Sequence, residues 1–325
     1  MGLGSADLNT PSRVETRTVD EEEAGQRLDN YLLKHLKGVP RTHVYRLLRT
    51  GQVRVDGRRA KPDRRLAAGE KVRLPPVRIV EPDAPRRVPD QMLERLMARV
   101  VYEDEQLLAL DKPEGLAVHG GSGVAHGAIE ALRAMRPDAR SMELVHRLDR
   151  DTSGLLLVAK RRSALRMLHA AWREGRVRKV YTALLAGVWR GGSRRVDLPL
   201  EVQRPQGGER VTRVTRSEGL HAVSIFTPRV TYPGATLMDV EIETGRMHQI
   251  RVHAAYLRHP VVGDDKYGDR EANRAFRSRG IKRMCLHAAR LEFAHPADGR
   301  PMLLEAPLGP ELAAALLALP DNDIK

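Results

Sequence analysis

His146-Arg147-Leu148-Asp149-Arg150-Asp151-Thr152-Ser153-Gly154 runs directly into Leu155-Leu156-Leu157-Val158-Ala159. The second stretch is a continuous apolar run closed by Lys160-Arg161-Arg162, which predicts a buried strand. Asp149 then lies on a loop held against a rigid sheet edge, a frequent position for a group that does chemistry. Taken alone, an aspartate followed by Thr-Ser-Gly is also an ordinary turn former.

The same texture continues on both sides. Leu107-Leu108-Ala109-Leu110 precedes Asp111-Lys112-Pro113-Glu114-Gly115, a strand running into a turn. Arg178 to Gly187 alternates, placing Tyr181, Ala183 and Leu185 on one face of a strand. Val240 and Ile242 alternate with acids before Thr244-Gly245-Arg246 turns the chain into a helix, on which His248 and Arg251, three apart, share a face. Gly120-Gly121-Ser122-Gly123 reads as a loop open to phosphate, although it matches neither dinucleotide nor P-loop spacing. The expected class is α+β: a mixed, mainly antiparallel sheet with flanking helices and loops over residues 99–316, plus a small N-terminal module.

That module spans residues 25–76. Leu28, Tyr31, Leu32 and Leu36 recur at helical spacing up to Gly38 and Pro40. A second helix starts near Arg41, with Val44, Leu47 and Leu48 inward and Gly51 at its end. Val53 and Val55 alternate as a strand, Asp56-Gly57 marks a hairpin turn, and Val72 and Leu74 form another strand. Residues 25–75 contribute a net +10 of the whole chain's +14. Arg41, Arg46 and Arg49 fall on the polar side of the second helix and, with Lys37, are candidate phosphate contacts. Two helices with a small basic hairpin resemble the α-L RNA-binding module of a small-subunit ribosomal protein. Residues 77–98, with Pro82, Pro85 and Pro89, read as a linker ending in a short helix near Met92–Met97. Residues 1–24, with Asp20-Glu21-Glu22-Glu23, read as a disordered tail, and 317–325 as a C-terminal tail.

Composition narrows the classes. A net charge of +14 in 325 residues points to a polyanionic partner. The single cysteine, Cys285, excludes an intrachain disulfide and fits a reducing compartment. No apolar stretch approaches the roughly 20 residues that span a bilayer. A cytoplasmic, nucleic-acid-binding protein is the expectation, with no membrane association and no obligate protein partner.

Three segments then match one family in order. His146-Arg147-Leu148-Asp149 with Thr152-Ser153-Gly154, Lys179 with Tyr181, and Gly245-Arg246 with His248-Gln249-Ile250-Arg251-Val252-His253 resemble the RluA-type pseudouridine synthases, uridine isomerases of ribosomal and transfer RNA. Asp111-Lys112-Pro113 and His259-Pro260 with Gly263-Asp264 are similar too. Val118 to Gly123 and Tyr267-Gly268-Asp269-Arg270-Glu271 resemble the members that modify 23S ribosomal RNA. The resemblance implies that Asp149, Tyr181 and Arg251 are catalytic, that no metal or organic cofactor is used, and that the partner is 23S ribosomal RNA or its large-subunit precursor. Arg147, Lys112, His146, Lys179, Arg246 and His248 are the accompanying candidates for contact with substrate RNA. Met247 stands where the family has Thr or Ser, and Ser224 where it has Thr.

The chemistry asks for these residue types. Isomerising uridine breaks a glycosidic bond, turns the base and rejoins the sugar to a ring carbon, without redox or hydrolysis. A carboxylate can act at the sugar or the base, a guanidinium can keep it ionised, and a tyrosine can pack under the base. Other readings stay open. Asp149-Arg150-Asp151-Thr152 also fits an aspartyl-phosphate phosphatase, which needs Mg²⁺ and a parallel sheet with crossover helices. Isomerisation of transfer RNA and non-catalytic RNA binding are the remaining two. Neutralising Arg41, Arg46 and Arg49 together is expected to weaken RNA binding and lower the slope of log Kd against log salt by about 2–3. An unchanged slope in a filter-binding titration would show that this helix meets no phosphates.

Overall fold

The computed structural model describes residues 14–36, 39, 41–77, 88–121, 124–139, 141–203, 209–317 and 319. Lys37 lies outside them, as do the middle of the expected linker, Ser122 and Gly123 of the glycine-rich loop, and nearly all of the expected C-terminal tail. The chain divides into two units, residues 1–87 and 88–325.

In the first unit, helices α1 (Leu28–His35) and α2 (Arg41–Arg49) accompany a sheet ordered β1-β3-β2, formed by Glu15–Thr18 (β1), Arg54–Val55 (β2) and Lys71–Leu74 (β3). Leu28, Tyr31 and Leu32 of α1 and Val44, Leu47 and Leu48 of α2 form its core with Val53, Val55, Val72 and Leu74. Asp56 and Gly57 both have positive φ, and Val55 and Arg58 exchange backbone bonds across them, the geometry a two-residue hairpin requires. Residues 14–24 correct the expectation of a disordered tail. Glu15–Thr18 pairs antiparallel with β3, covering an edge that would otherwise be open. Val19 is buried, and so is Glu23, which bonds Lys34 Nζ at 2.5 Å and His35 Nε2 at 2.8 Å. The acidic run looks solvated in sequence because the partners of Glu23 are eleven and twelve residues away.

The second unit is built on a ten-stranded mixed sheet. Along the chain come α3 (Asp90–Met97), β4 (Val100–Glu103), β5 (Leu107–Lys112), α4 (Ala128–Met135), β6 (Glu143–Leu144), β7 (Ser153–Ala159) and α5 (Arg162–Arg173). Then follow β8 (Arg178–Ala186), β9 (Arg194–Asp197), β10 (Leu200–Gln203), β11 (Val211–Val214), β12 (Val223–Tyr232), β13 (Ala235–Ile242) and α6 (Gln249–Tyr256). Last are α7 (Arg270–Ser278), β14 (Leu286–Ala294), β15 (Pro301–Glu305) and α8 (Pro310–Leu317). The main order is β4-β5-β7-β14-β8-β13-β12-β9, while β10 and β11 form a separate hairpin.

All seven residues of β7 are buried. Leu156 and Val158 pack with Leu108, Leu110 and α4; Leu155 and Leu157 pack with Leu107, Ala109 and α5. Two covered faces are why this strand is continuously apolar. The β7–β14 pairing is parallel and brief, Ser153 against His287 and Gly154 against Ala288, after which β15 takes over the edge of β14. Gly154 sits at φ +104°, and a Cβ there would overlap the backbone of Ala288. Only glycine permits this crossing.

Trp172 and Trp189 both belong to the second unit, so their fluorescence reports its unfolding alone. Gly154→Ala is expected to destabilise that transition by at least about 2 kcal/mol, from strain plus overlap. A loss below about 0.5 kcal/mol, the range of an ordinary surface change, would show that the strands can separate freely.

Candidate active site

The loop before β7 is fastened from both ends. Leu157 N–H donates to His146 Nε2 at 3.0 Å, and the imidazole stacks on Trp172 with ring centres 5.0 Å apart. Burial pushes the His146 pKa down to about 4, so at neutral pH the ring is an uncharged acceptor. At the other end Lys112 Nζ donates to the carbonyls of Pro113, Leu116 and Arg150, each at 2.9 Å. Lys112 has no exposed surface, and burial pushes its pKa down to about 7, opposed by Asp151 and Asp149. Lys179 is buried as well, with Nζ bonding the carbonyl of Val177 at 2.9 Å. The amines of Lys112 and Lys179 thus spend their hydrogen bonds on backbone carbonyls, and the half-buried His146 ring takes a backbone N–H. Their polar atoms are consumed by backbone groups that only the tertiary fold brings to them.

Asp149 emerges from this loop with its side chain 28% exposed. Its Oδ2 accepts from Arg251 Nη1 at 3.0 Å, and His248 Nε2 lies 3.7 Å from the same oxygen. Arg251 turns its remaining edge to Asp264, with Nε to Oδ2 at 2.7 Å and Nη2 to Oδ1 at 2.9 Å, a bidentate fork. The Asp264 side chain is fully buried, and its Oδ1 also accepts the backbone N–H groups of Lys266 and Tyr267. Burial works against a charged Arg251, but Asp264 and Asp149 outweigh it and raise its pKa. Burial likewise works against ionised Asp264, and the Arg251 bonds hold its pKa below the usual carboxylate range.

Tyr181, on β8, contacts the apolar clusters on both sides of the site. Burial, followed by the charge of Asp149, pushes its phenol pKa well up, so the proton stays on at neutral pH. The turn into α6 is held by Gln249, whose Oε1 accepts from Thr244 Oγ1 at 2.8 Å and Arg246 N at 3.0 Å. Its Nε2 donates to Val223 O and Ser224 Oγ, and Ser224 Oγ also meets His253 Nδ1 at 3.0 Å. The hydroxyl that Ser224 shares with threonine is what this position uses. Nothing in the structure explains Met247.

Asp149, Tyr181 and the pair His248 and Arg251 thus come together from three segments. Arg147 is exposed beside Asp149, and Arg246 is exposed with Nε on the carbonyl of His221 at 2.9 Å. Arg46 and Arg49 are exposed on α2, which begins at Arg41. Asp264, Tyr267 and Gln249 complete the site. Asp264 carries a family resemblance in sequence, but no spacing rule pairs it with Arg251.

Residues 106–256 match the RNA pseudouridylate synthase family and residues 26–72 match the S4 domain. The ribosomal large subunit pseudouridine synthase C of Pasteurella multocida is 49% identical over 307 residues, 94% of each chain. That of Escherichia coli strain K12 is 49% identical over 313 residues, 95% of this chain and 98% of the relative. The chain belongs to the RNA pseudouridylate synthase family. The structure of human RNA pseudouridylate synthase domain containing 1 shares 25% identity and aligns with a TM-score of 0.58, covering 70% of this chain and 89% of the other. Human RNA pseudouridylate synthase domain containing 4, 22% identical with a TM-score of 0.57, shares the fold. The mainly antiparallel sheet of this family replaces the parallel one that a phosphatase reading of Asp149-Arg150-Asp151-Thr152 requires. Asp264→Asn is expected to cost about 3 kcal/mol in the tryptophan-monitored transition, because it leaves a buried guanidinium underpaired. An unchanged midpoint would mean that water or Asp149 alone satisfies Arg251.

Proposed function

We propose that this protein converts specific uridines of 23S ribosomal RNA, or of its large-subunit precursor, to pseudouridine. The observation that carries the reading is the pairing of a half-exposed carboxylate, Asp149, with a buried guanidinium, Arg251, at the head of β7. The near full-length likeness to ribosomal large subunit pseudouridine synthase C supports the choice of RNA. The basic S4 domain supports a polyanionic substrate.

In this reading the target nucleotide leaves the stack and enters beside Asp149. Arg147, exposed next to it, fills the space left behind. The N1–C1′ bond breaks, the base turns, and C5 bonds C1′. One proton leaves C5 and one arrives at N1, so the balance closes without redox or hydrolysis. Asp149 acts as the carboxylate at the glycosidic bond, and the Arg251 guanidinium aims it. Tyr181 supports the base from below. Because its phenol stays protonated, it takes part in moving the C5 proton only together with a group that accepts its own. The buried Lys112 and the half-buried His146 hold the Asp149 loop rather than the substrate. Residues 25–76 act as the RNA-binding module, 77–98 as a linker and 99–316 as the catalytic domain. The lone cysteine and the ribosomal substrate support a cytoplasmic location. Among the described residues no helix is long and apolar enough to cross a membrane.

Asp149→Asn removes charge with little change of shape. It is expected to abolish turnover while leaving RNA affinity within about threefold, a change of less than ~0.7 kcal/mol. The check is carbodiimide mapping of pseudouridine on unmodified 23S ribosomal RNA incubated with wild type or variant. Stops with both proteins would remove Asp149 from the chemistry. Stops with neither, on RNA that is bound tightly, would move the substrate to transfer RNA.

A further inference from the structure

His248 adopts φ +55°, a left-handed conformation that a histidine keeps only when its surroundings impose it. The ring is anchored at this turn. His248 Nδ1 lies 2.8 Å from Tyr267 Oη, and the two rings meet edge-on. Tyr267 Oη also accepts the backbone N–H of Thr212, on β11, at 2.9 Å. A backbone N–H can only donate, and among the described residues Nδ1 is the acceptor within reach of the phenol O–H, which the geometry therefore directs there. Nδ1 is then the unprotonated nitrogen, and Nε2 carries the hydrogen. That Nε2–H faces Asp149 Oδ2, an oxygen that can only accept.

Arg251 Nη1 addresses the same oxygen. Among the described residues, no group is hydrogen-bonded to Oδ1 of Asp149. The separation of 3.7 Å between His248 and Oδ2 is too long for a hydrogen bond, but such contacts in unliganded sites often tighten when substrate enters. Burial keeps the imidazole neutral, with Arg251 and Lys266 acting the same way and Asp149 and Asp264 opposing.

We propose that His248 is a positioning residue. As the Nε2–H tautomer set by Tyr267, it closes on Oδ2 of Asp149 when the uridine enters, and with Arg251 it leaves Oδ1 as the oxygen presented to the nucleoside. This rests on the role given to Asp149 above. It also ties the β10–β11 hairpin to the site, because Thr212 and the carbonyl of Arg210, bonded by Lys266 Nζ at 2.7 Å, seat the hairpin on the Lys266-Tyr267 segment.

The test uses the full chain with ¹⁵N-labelled histidine, together with Tyr267→Phe, His248→Gly and Asp149→Asn. At neutral pH the wild-type His248 is expected to show an unprotonated Nδ1 and a protonated Nε2, a preference lost in Tyr267→Phe. His248→Gly relieves the backbone but gives up the Tyr267 contact, so the tryptophan-monitored transition is measured beside it to show that the variant is folded. The variant is expected to bind RNA within about twofold of wild type and to turn over at least about tenfold more slowly under single-turnover conditions, the effect of ~1.4 kcal/mol in the transition state. A merely structural His248 would leave this well-folded variant at wild-type speed. Protonated Nδ1 in the wild type, or a wild-type rate in His248→Gly while Asp149→Asn is inactive, overturns the positioning role alone. A wild-type rate in Asp149→Asn overturns the reading of the site itself.

Discussion

One guanidinium holds the site together. Arg251 lies between Asp264, which is fully buried, and Asp149, which is not. A buried cation needs a partner of its own, or burial would cost more than the contact returns. Asp264 fills that requirement with two bonds, and the third bond of Arg251 is then free to hold Asp149 at the edge of the cleft. The asymmetry separates the two carboxylates chemically: one is an internal counter-ion, the other is open to solvent.

That arrangement depends on how the sheet is assembled. Arg251 comes from α6, Asp149 from the loop before β7, and Tyr181 from β8, with β14 running between β7 and β8. β7 meets β14 for only two residue pairs, so the strands meet at the very end that carries Asp149. Gly154 allows that approach, and the register then sets Tyr181 opposite Ala288 on the next strand. Lys112, bonding the Arg150 carbonyl, makes the same end rigid from the β5 side. A loop whose carbonyl is tied to a buried amine loses little further entropy when a ligand arrives.

Much of this could be read along the chain. The apolar run at 155–159 was legible as a strand because its period and its neighbours allow little else, and the helices of the first unit follow from Leu28, Tyr31, Leu32 and Leu36. Asp149, Tyr181 and Arg251 were legible as a set because three motifs occur in one order. The misreadings share one cause. Lys112 and Lys179 carry side chains that usually face water, and their residue types look no different when a fold surrounds them with carbonyls, nor does His146 when a backbone N–H reaches its ring. Residues 14–24 mislead for the same reason, since the β3 edge and the Lys34 and His35 side chains that hold them lie well along the chain.

The sequence by itself determined what is local or compositional: the basic first module, the alternation of strands, the continuously buried β7, and the family pattern around Asp149. Tertiary structure alone decided which charges become internal bonds and which remain available. The physical reason is that a polar group's role depends on what desolvates it and what pairs with it. For Arg251 and Asp264, thirteen residues apart, and for Asp149, a further hundred and two from Arg251, those partners exist only once the sheet has closed.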